Sequence, residues 1–68
     1  MIVYYHTEFG IAIDEYRSLC AARKGIQREI GTIHSIYEIR EATIEDIAWG
    51  KAMNGTLPEK ALEMLKKG

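Results

Sequence analysis

Cys20 is the only cysteine in the chain, so no disulfide can close within it. In a chain of 68 residues this is a severe constraint. A domain of that size buries only about 60% of the surface its unfolded chain exposes, and a single small core is marginal without a staple. Stability must therefore come from close packing, from a second copy of the chain or from a partner. Secreted mini-domains usually carry several cysteine pairs. A lone thiol, no signal-peptide pattern in Met1–His6 and no apolar run near the roughly 18 residues of a membrane span together read as cytoplasmic.

Hydrophobic residues make up 47% of the chain and charged residues 28%, the balance of one ordinary globular domain spanning residues 1–68. The formal net charge of −1 gives no overall field for nucleic acid or an anionic membrane. Starting at a methionine, the chain is expected to be a complete small product. No internal repeat, linker or low-complexity stretch divides it.

Met1–His6 is rich in β-branched and aromatic residues and predicts a strand, with Ile2, Tyr4 and His6 on one face and Val3 and Tyr5 on the other. Thr7–Gly10 reads as a turn. Ile11–Ile13 is either a second short strand closing a hairpin or the lead into a helix. Asp14–Ile30 has a helical period, with Tyr16, Leu19, Cys20, Ile26 and Ile30 on one stripe. Arg23 interrupts that stripe, and Gly25 costs about 1 kcal/mol in a helix interior.

Past Gly31 two readings are open. A continued helix places Ile33 and Tyr37 on the stripe but turns Ile36 and Ile39 to solvent. A strand over Thr32–Arg40 gathers Ile33, Ser35, Tyr37 and Ile39 on one face and exposes fewer apolar residues. We take the strand, paired with Met1–His6. The fold class is then α+β: a strand or hairpin, a helix, a second strand and two short helices around one shared core. An all-α helical hairpin is the alternative.

In the last third, Thr43-Ile44-Glu45-Asp46 resembles a capping box and opens a helix to about Met53. Asn54-Gly55 ends it, since both tolerate a left-handed backbone. Thr56-Leu57-Pro58-Glu59 is a second such box, opening a helix to about Lys67. The helix over 44–53 carries two ridges. Ile44, Ile47 and Ala48 form the expected core stripe, while Trp49 and Met53 lie on the opposite side, where so small a chain has little left to cover them. Trp is enriched at interface hot spots and Met suits adaptable contacts.

No catalytic or metal constellation emerges. His6 and His34 are separated by a whole helix and have no ligand at zinc-site spacing beside them; they read as a strand-edge and a surface histidine. Cys20, on the apolar stripe, reads as a buried small hydrophobe rather than a reactive thiol. No Gly-rich phosphate loop, nucleophile elbow or metal-binding helix motif is present. We therefore expect no enzyme, metal or cofactor. Arg17, Lys24 and Arg28, with Arg23 adjoining, form the one local basic patch, suited to phosphate or an acidic protein or else a plain solvated helix flank.

Trp49 to Leu65, W-G-K-A-M-N-G-T-L-P-E-K-A-L-E-M-L, resembles the end of a lambda-repressor-like helix-turn-helix domain, where N-G and a proline precede the closing helix. Gly25–Ile30 resembles the start of that family's second helix. The resemblance implies a DNA-binding regulator. The stretch between is too long and too β-branched for the family, and an N-terminal strand is foreign to it, so no functional residue is carried over. The residues themselves favour a small non-enzymatic regulatory, inhibitory or adaptor protein, phage-like in size, that binds another protein or a second copy of itself (a homodimer) through Trp49 and Met53. No membrane partner is expected.

Overall fold

The structure, a computed structural model, describes residues 1–67. Strand β1 (Ile2–Thr7) turns at Glu8-Phe9 into β2 (Gly10–Glu15). Helix α1 (Leu19–Ile30), strand β3 (Ile36–Glu41) and helices α2 (Ile44–Ala52) and α3 (Glu59–Lys67) follow. This is the expected α+β order, with the N-terminal segment formed as a hairpin and no continuous helix from Asp14 to Glu41. The strands form one antiparallel sheet in the order β2-β1-β3. The most β-prone segment is thus the central strand, with a partner on each side.

Alternation along β1 sends Ile2 and Tyr4 to one face of the sheet and Val3 and Tyr5 to the other, and each face has its own core. Val3, Ala22 and Ile26 are buried together under α1, flanked by Tyr5, Tyr16, Ile30, Ile36 and Ile39. Ile2, Ile13, Ala42, Ile47 and Ala61 are buried under α2 and α3, flanked by Tyr4, Leu57, Met64 and Leu65. The single shared core expected from the sequence is therefore two cores. A strand alternating apolar residues on both faces requires cover on both.

Helix α1 starts at Leu19, not Asp14. Asp14 and Glu15 stay in β2 opposite Val3 and Ile2, and the Ser18 hydroxyl caps the helix by accepting from the Ala21 N–H at 3.1 Å. This later start sets the helical phase. Ala22 and Ile26 face the sheet, whereas Leu19 is partly exposed and Cys20 exposed, so the expected stripe is corrected. Alanine serves as core here because the helix backbone lies close to the strands. The helix ends at Gly31, whose φ of 94° suits glycine. The Gln27 amide donates to the Gly31 and His34 carbonyls at 2.8 Å each, fixing the connection to β3.

β3 pairs with β1 as expected but begins at Ile36, and a bulge interrupts the ladder: His6 opposes Glu38 while Thr7 opposes Ile36. The extra residue puts Ile36 and Ile39, three apart, on the α1 face together. Plain alternation cannot do this. Ile33, expected on the strand's buried face, instead stands 88% exposed in the connection.

Thr43 caps α2 as the sequence predicts. Its hydroxyl accepts from the Asp46 N–H at 3.1 Å while the Asp46 carboxylate accepts from the Thr43 N–H at 2.8 Å. Asn54 takes the expected left-handed conformation, φ 59°, and stops the helix. Thr56 does not cap α3. The Ala61 and Leu62 N–H groups both donate to the Pro58 carbonyl, at 3.0 and 3.2 Å, so the first turn is anchored two residues later. Proline's fixed φ already suits a helix start, which leaves the threonine hydroxyl without that role.

Candidate interaction surface

Helix α2 lies across the sheet, held at its start and its end by different strands. At its start, Arg40 on β3 forks onto the Asp46 carboxylate, with one bond of 3.0 Å and a second, shorter one, and reaches Glu38 at 3.2 Å. The guanidinium also stacks 4.1 Å over the Tyr4 ring. Tyr4 and Arg40 are opposite one another in the ladder, so one residue of register unites the contact. The Arg40 bonds, aided by those from Thr43, hold the Asp46 carboxyl down at about 2. At its far end α2 meets β2 at Gly50. A Cβ there would lie 3.2 Å from Leu57 Cδ2 and 3.3 Å from Ile13 Cδ1, so glycine permits the close approach.

That approach carries Trp49 and Met53 beyond the core, beside the outer strand of the sheet. Trp49 is 48% and Met53 64% exposed. Together with Ile11, which is 41% exposed, they edge an open groove of about 330 Å³ floored by Ile13, Gly50 and Leu57. The two site residues expected from α2 are thus brought together. The inward stripe expected beside them is only partly so: Ile47 is buried with Gly50, but Ile44 and Ala48 are exposed. The covered side of α2 is the one that carries Ile47 and Gly50, where the helix meets β2 and α3. Ile11 was not singled out from the sequence. The signal was available only in the reading of Ile11–Ile13 as a hairpin strand, which places Ile11 and Ile13 on the face of Tyr4.

Arg17, Lys24 and Arg28, with Arg23, are exposed on or just before α1, on the other side of the sheet. None of them has a carboxylate within 4.0 Å among the described residues, in contrast with Arg40 and Lys60. The structure therefore separates the two sets of expected contact residues onto opposite layers. Both histidines sit near the hairpin but on different partners. His34 Nδ1 lies 2.8 Å from the Glu8 carboxylate, which also accepts from the Ser35 N–H at 2.9 Å. The Ser35 bond and His34 lower the Glu8 pKa. His6 packs edge-on against Tyr37. Cys20, expected to be buried, is exposed on α1. Among the described residues no three His, Cys, Asp or Glu side chains converge as ligands for a metal ion, and no helix is long and apolar enough to cross a membrane. The helix-turn-helix resemblance meets a different architecture, since Gly25–Ile30 is the second half of α1 and β3 intervenes before α2. In comparison with known proteins, no family model matches the chain, and no curated protein or solved structure matches it.

Proposed function

We propose that this chain is a small non-enzymatic protein of regulatory, inhibitory or adaptor type that acts by binding protein through the Trp49–Met53 surface. The observation that supports this reading is the exposure of an indole and a thioether side by side, next to an apolar groove, in a domain with little core to spare. Covering a large apolar side chain is worth about 1.5–3 kcal/mol, and tryptophan at the centre of a contact is a frequent hot spot. A cytoplasmic setting belongs to the same reading, because an exposed lone thiol is best kept reduced there.

Trp49→Ala tests it. The variant is expected to keep its fold, since half of the side chain already faces solvent. It should lose about 2 kcal/mol or more of association energy. Immobilised wild-type and variant chains, exposed to the same lysate of the source cells, should differ in the proteins they retain, with melting curves recorded in parallel. Identical retained sets, or a variant that unfolds without ever having had a partner, would sink the proposal.

A second reading is a DNA-binding regulator, supported by the four basic side chains of the α1 layer that have no carboxylate within 4.0 Å among the described residues. It is weakened by the net charge of −1. Salt-dependent binding to generic duplex DNA, lost on charge reversal at Arg17, Lys24 and Arg28, would favour it.

A further inference from the structure

We infer that the partner covering the Trp49 surface is a second copy of this chain, joined through β2 in an antiparallel two-fold pairing centred on Ala12. This rests on the reading of that surface as a contact site and names its occupant.

The hydrogen-bond pattern shows which groups of β2 are free. The Tyr16 N–H donates to the Met1 carbonyl at 2.9 Å, and the hairpin register pairs Thr7 with Gly10. In an antiparallel ladder the bonded pairs alternate. Gly10, Ala12 and Asp14 therefore turn their backbone groups to β1, and Ile11, Ile13 and Glu15 turn theirs outward. The Glu15 N–H is taken by the Asp14 carboxylate at 2.8 Å. Among the described residues the outward N–H and C=O groups of Ile11 and Ile13 have no strand beside them, because β2 ends the sheet.

The two edges of the sheet are treated differently. The β3 edge is blunted by its bulge, by the charges of Glu38, Arg40 and Glu41, and by Arg40 reaching the Glu41 carbonyl at 3.5 Å. Bulges and charges are the usual protection of a free edge. The β2 edge has neither in Gly10-Ile11-Ala12-Ile13, and it carries no proline or lysine.

Its sequence is also complementary to itself. With Ala12 opposite Ala12 of the second copy, Ile11 faces Ile13 across the dyad twice and all four free groups find partners. The small alanine sits where paired strands approach most closely. Asp14 falls opposite glycine and Glu15 opposite Phe9, so the acids of one copy meet uncharged residues of the other. A parallel pairing would set acid against acid. The isoleucine pairs lie on the α2 side of the sheet, in line with the exposed parts of Trp49 and Met53, which the two-fold axis counts once for each copy. That continuity of apolar surface lets a short strand contact grow toward the roughly 1,000 Å² a specific interface needs.

Sedimentation equilibrium should show wild-type dimers. Ile11→Lys places a charge on the edge at an already part-exposed position, so it should leave the circular dichroism spectrum unchanged and weaken self-association about tenfold or more. The geometry has its own readout. Ala12→Cys in a Cys20→Ser background should oxidise rapidly to a covalent dimer, because alpha carbons across a non-hydrogen-bonded pair lie about 4.5 Å apart, within disulfide range. A wild-type protein monomeric up to about 1 mM overturns the inference. So does a dimer that survives Ile11→Lys and gives no cross-link. If the wild type is monomeric yet Trp49→Ala still changes which proteins are retained, the occupant is wrong and the contact surface stands. If neither effect appears, both readings fall.

Discussion

Asp46 shows how one side chain ties two elements together. It closes the capping box of α2 and receives the guanidinium of Arg40 from β3. Its carboxyl is held at about 2, below the ordinary 3.8. The unfolded chain therefore binds a proton there before the folded one does. The contribution of this carboxylate to stability is complete above about pH 4 and is lost as pH falls toward 2. Glu8 and Glu15 are lowered in the same direction, by the Ser35 backbone with His34 and by Lys60 respectively, but they lie at the surface where such pairs contribute little. Urea midpoints measured from pH 6 down to pH 2 should therefore fall in the wild type and fall less in Asp46→Asn, which starts lower. Parallel curves for the two proteins would show that the Arg40–Asp46 contact carries no acid dependence.

Among the elements, the two threonine boxes are alike on paper and unlike in the fold. Thr43 makes both reciprocal bonds of a capping box, whereas α3 takes its first bonds from the Pro58 carbonyl. Thr43→Ala should accordingly cost about 0.5–2 kcal/mol, and Thr56→Ala, an exposed position without that bond, should stay within about 0.5 kcal/mol of wild type. Chemical denaturation of both variants checks the contrast; equal losses would mean that Thr56 caps α3 in solution. The bulge in β3 is the other feature that only pairing reveals. Nothing in Ile36-Tyr37-Glu38-Ile39 marks where the alternation slips. The slip arises because α1 offers an apolar surface to both isoleucines, while Tyr37 finds His6 on the opposite face.

At the scale of the whole molecule, a three-stranded sheet carries a core on each face, and β1 belongs to both. Val3 looks into one and its neighbour Ile2 into the other. Neither core is large, so neither layer is expected to persist without the other. Ile26→Ala under α1 and Ile47→Ala under α2 remove fully buried side chains from opposite faces, and each should cost about 2–5 kcal/mol. That is a large part of what a domain of this size has. Each loss should appear as one cooperative transition, followed equally well by Trp49 fluorescence on the α2 side and by backbone circular dichroism. Two separated transitions in either variant would show that the layers fold independently.

The class of the fold, the hairpin turn, the pairing of the first and third strands, the Thr43 cap and the stop at Asn54-Gly55 were all legible in the sequence. Each depends on neighbours a few residues apart or on plain hydrophobic alternation. Trp49 and Met53 could be singled out in the same way, from their place on the helix opposite Ile44 and Ile47. What the chain as a line of residues does not hold is phase and cover. The start of α1 at Leu19, and with it the exposure of Cys20, followed from β2 running on through Glu15 against β1. Ile44 and Ala48 stay exposed because the side of α2 that meets β2 and α3 is the one carrying Ile47 and Gly50. The free edge of β2 and its alignment with Trp49 exist only once the sheet has an order. Local patterns determine which elements form, because their energies are local; which faces stay open is decided by tertiary packing, because burial is a property of the neighbours that arrive.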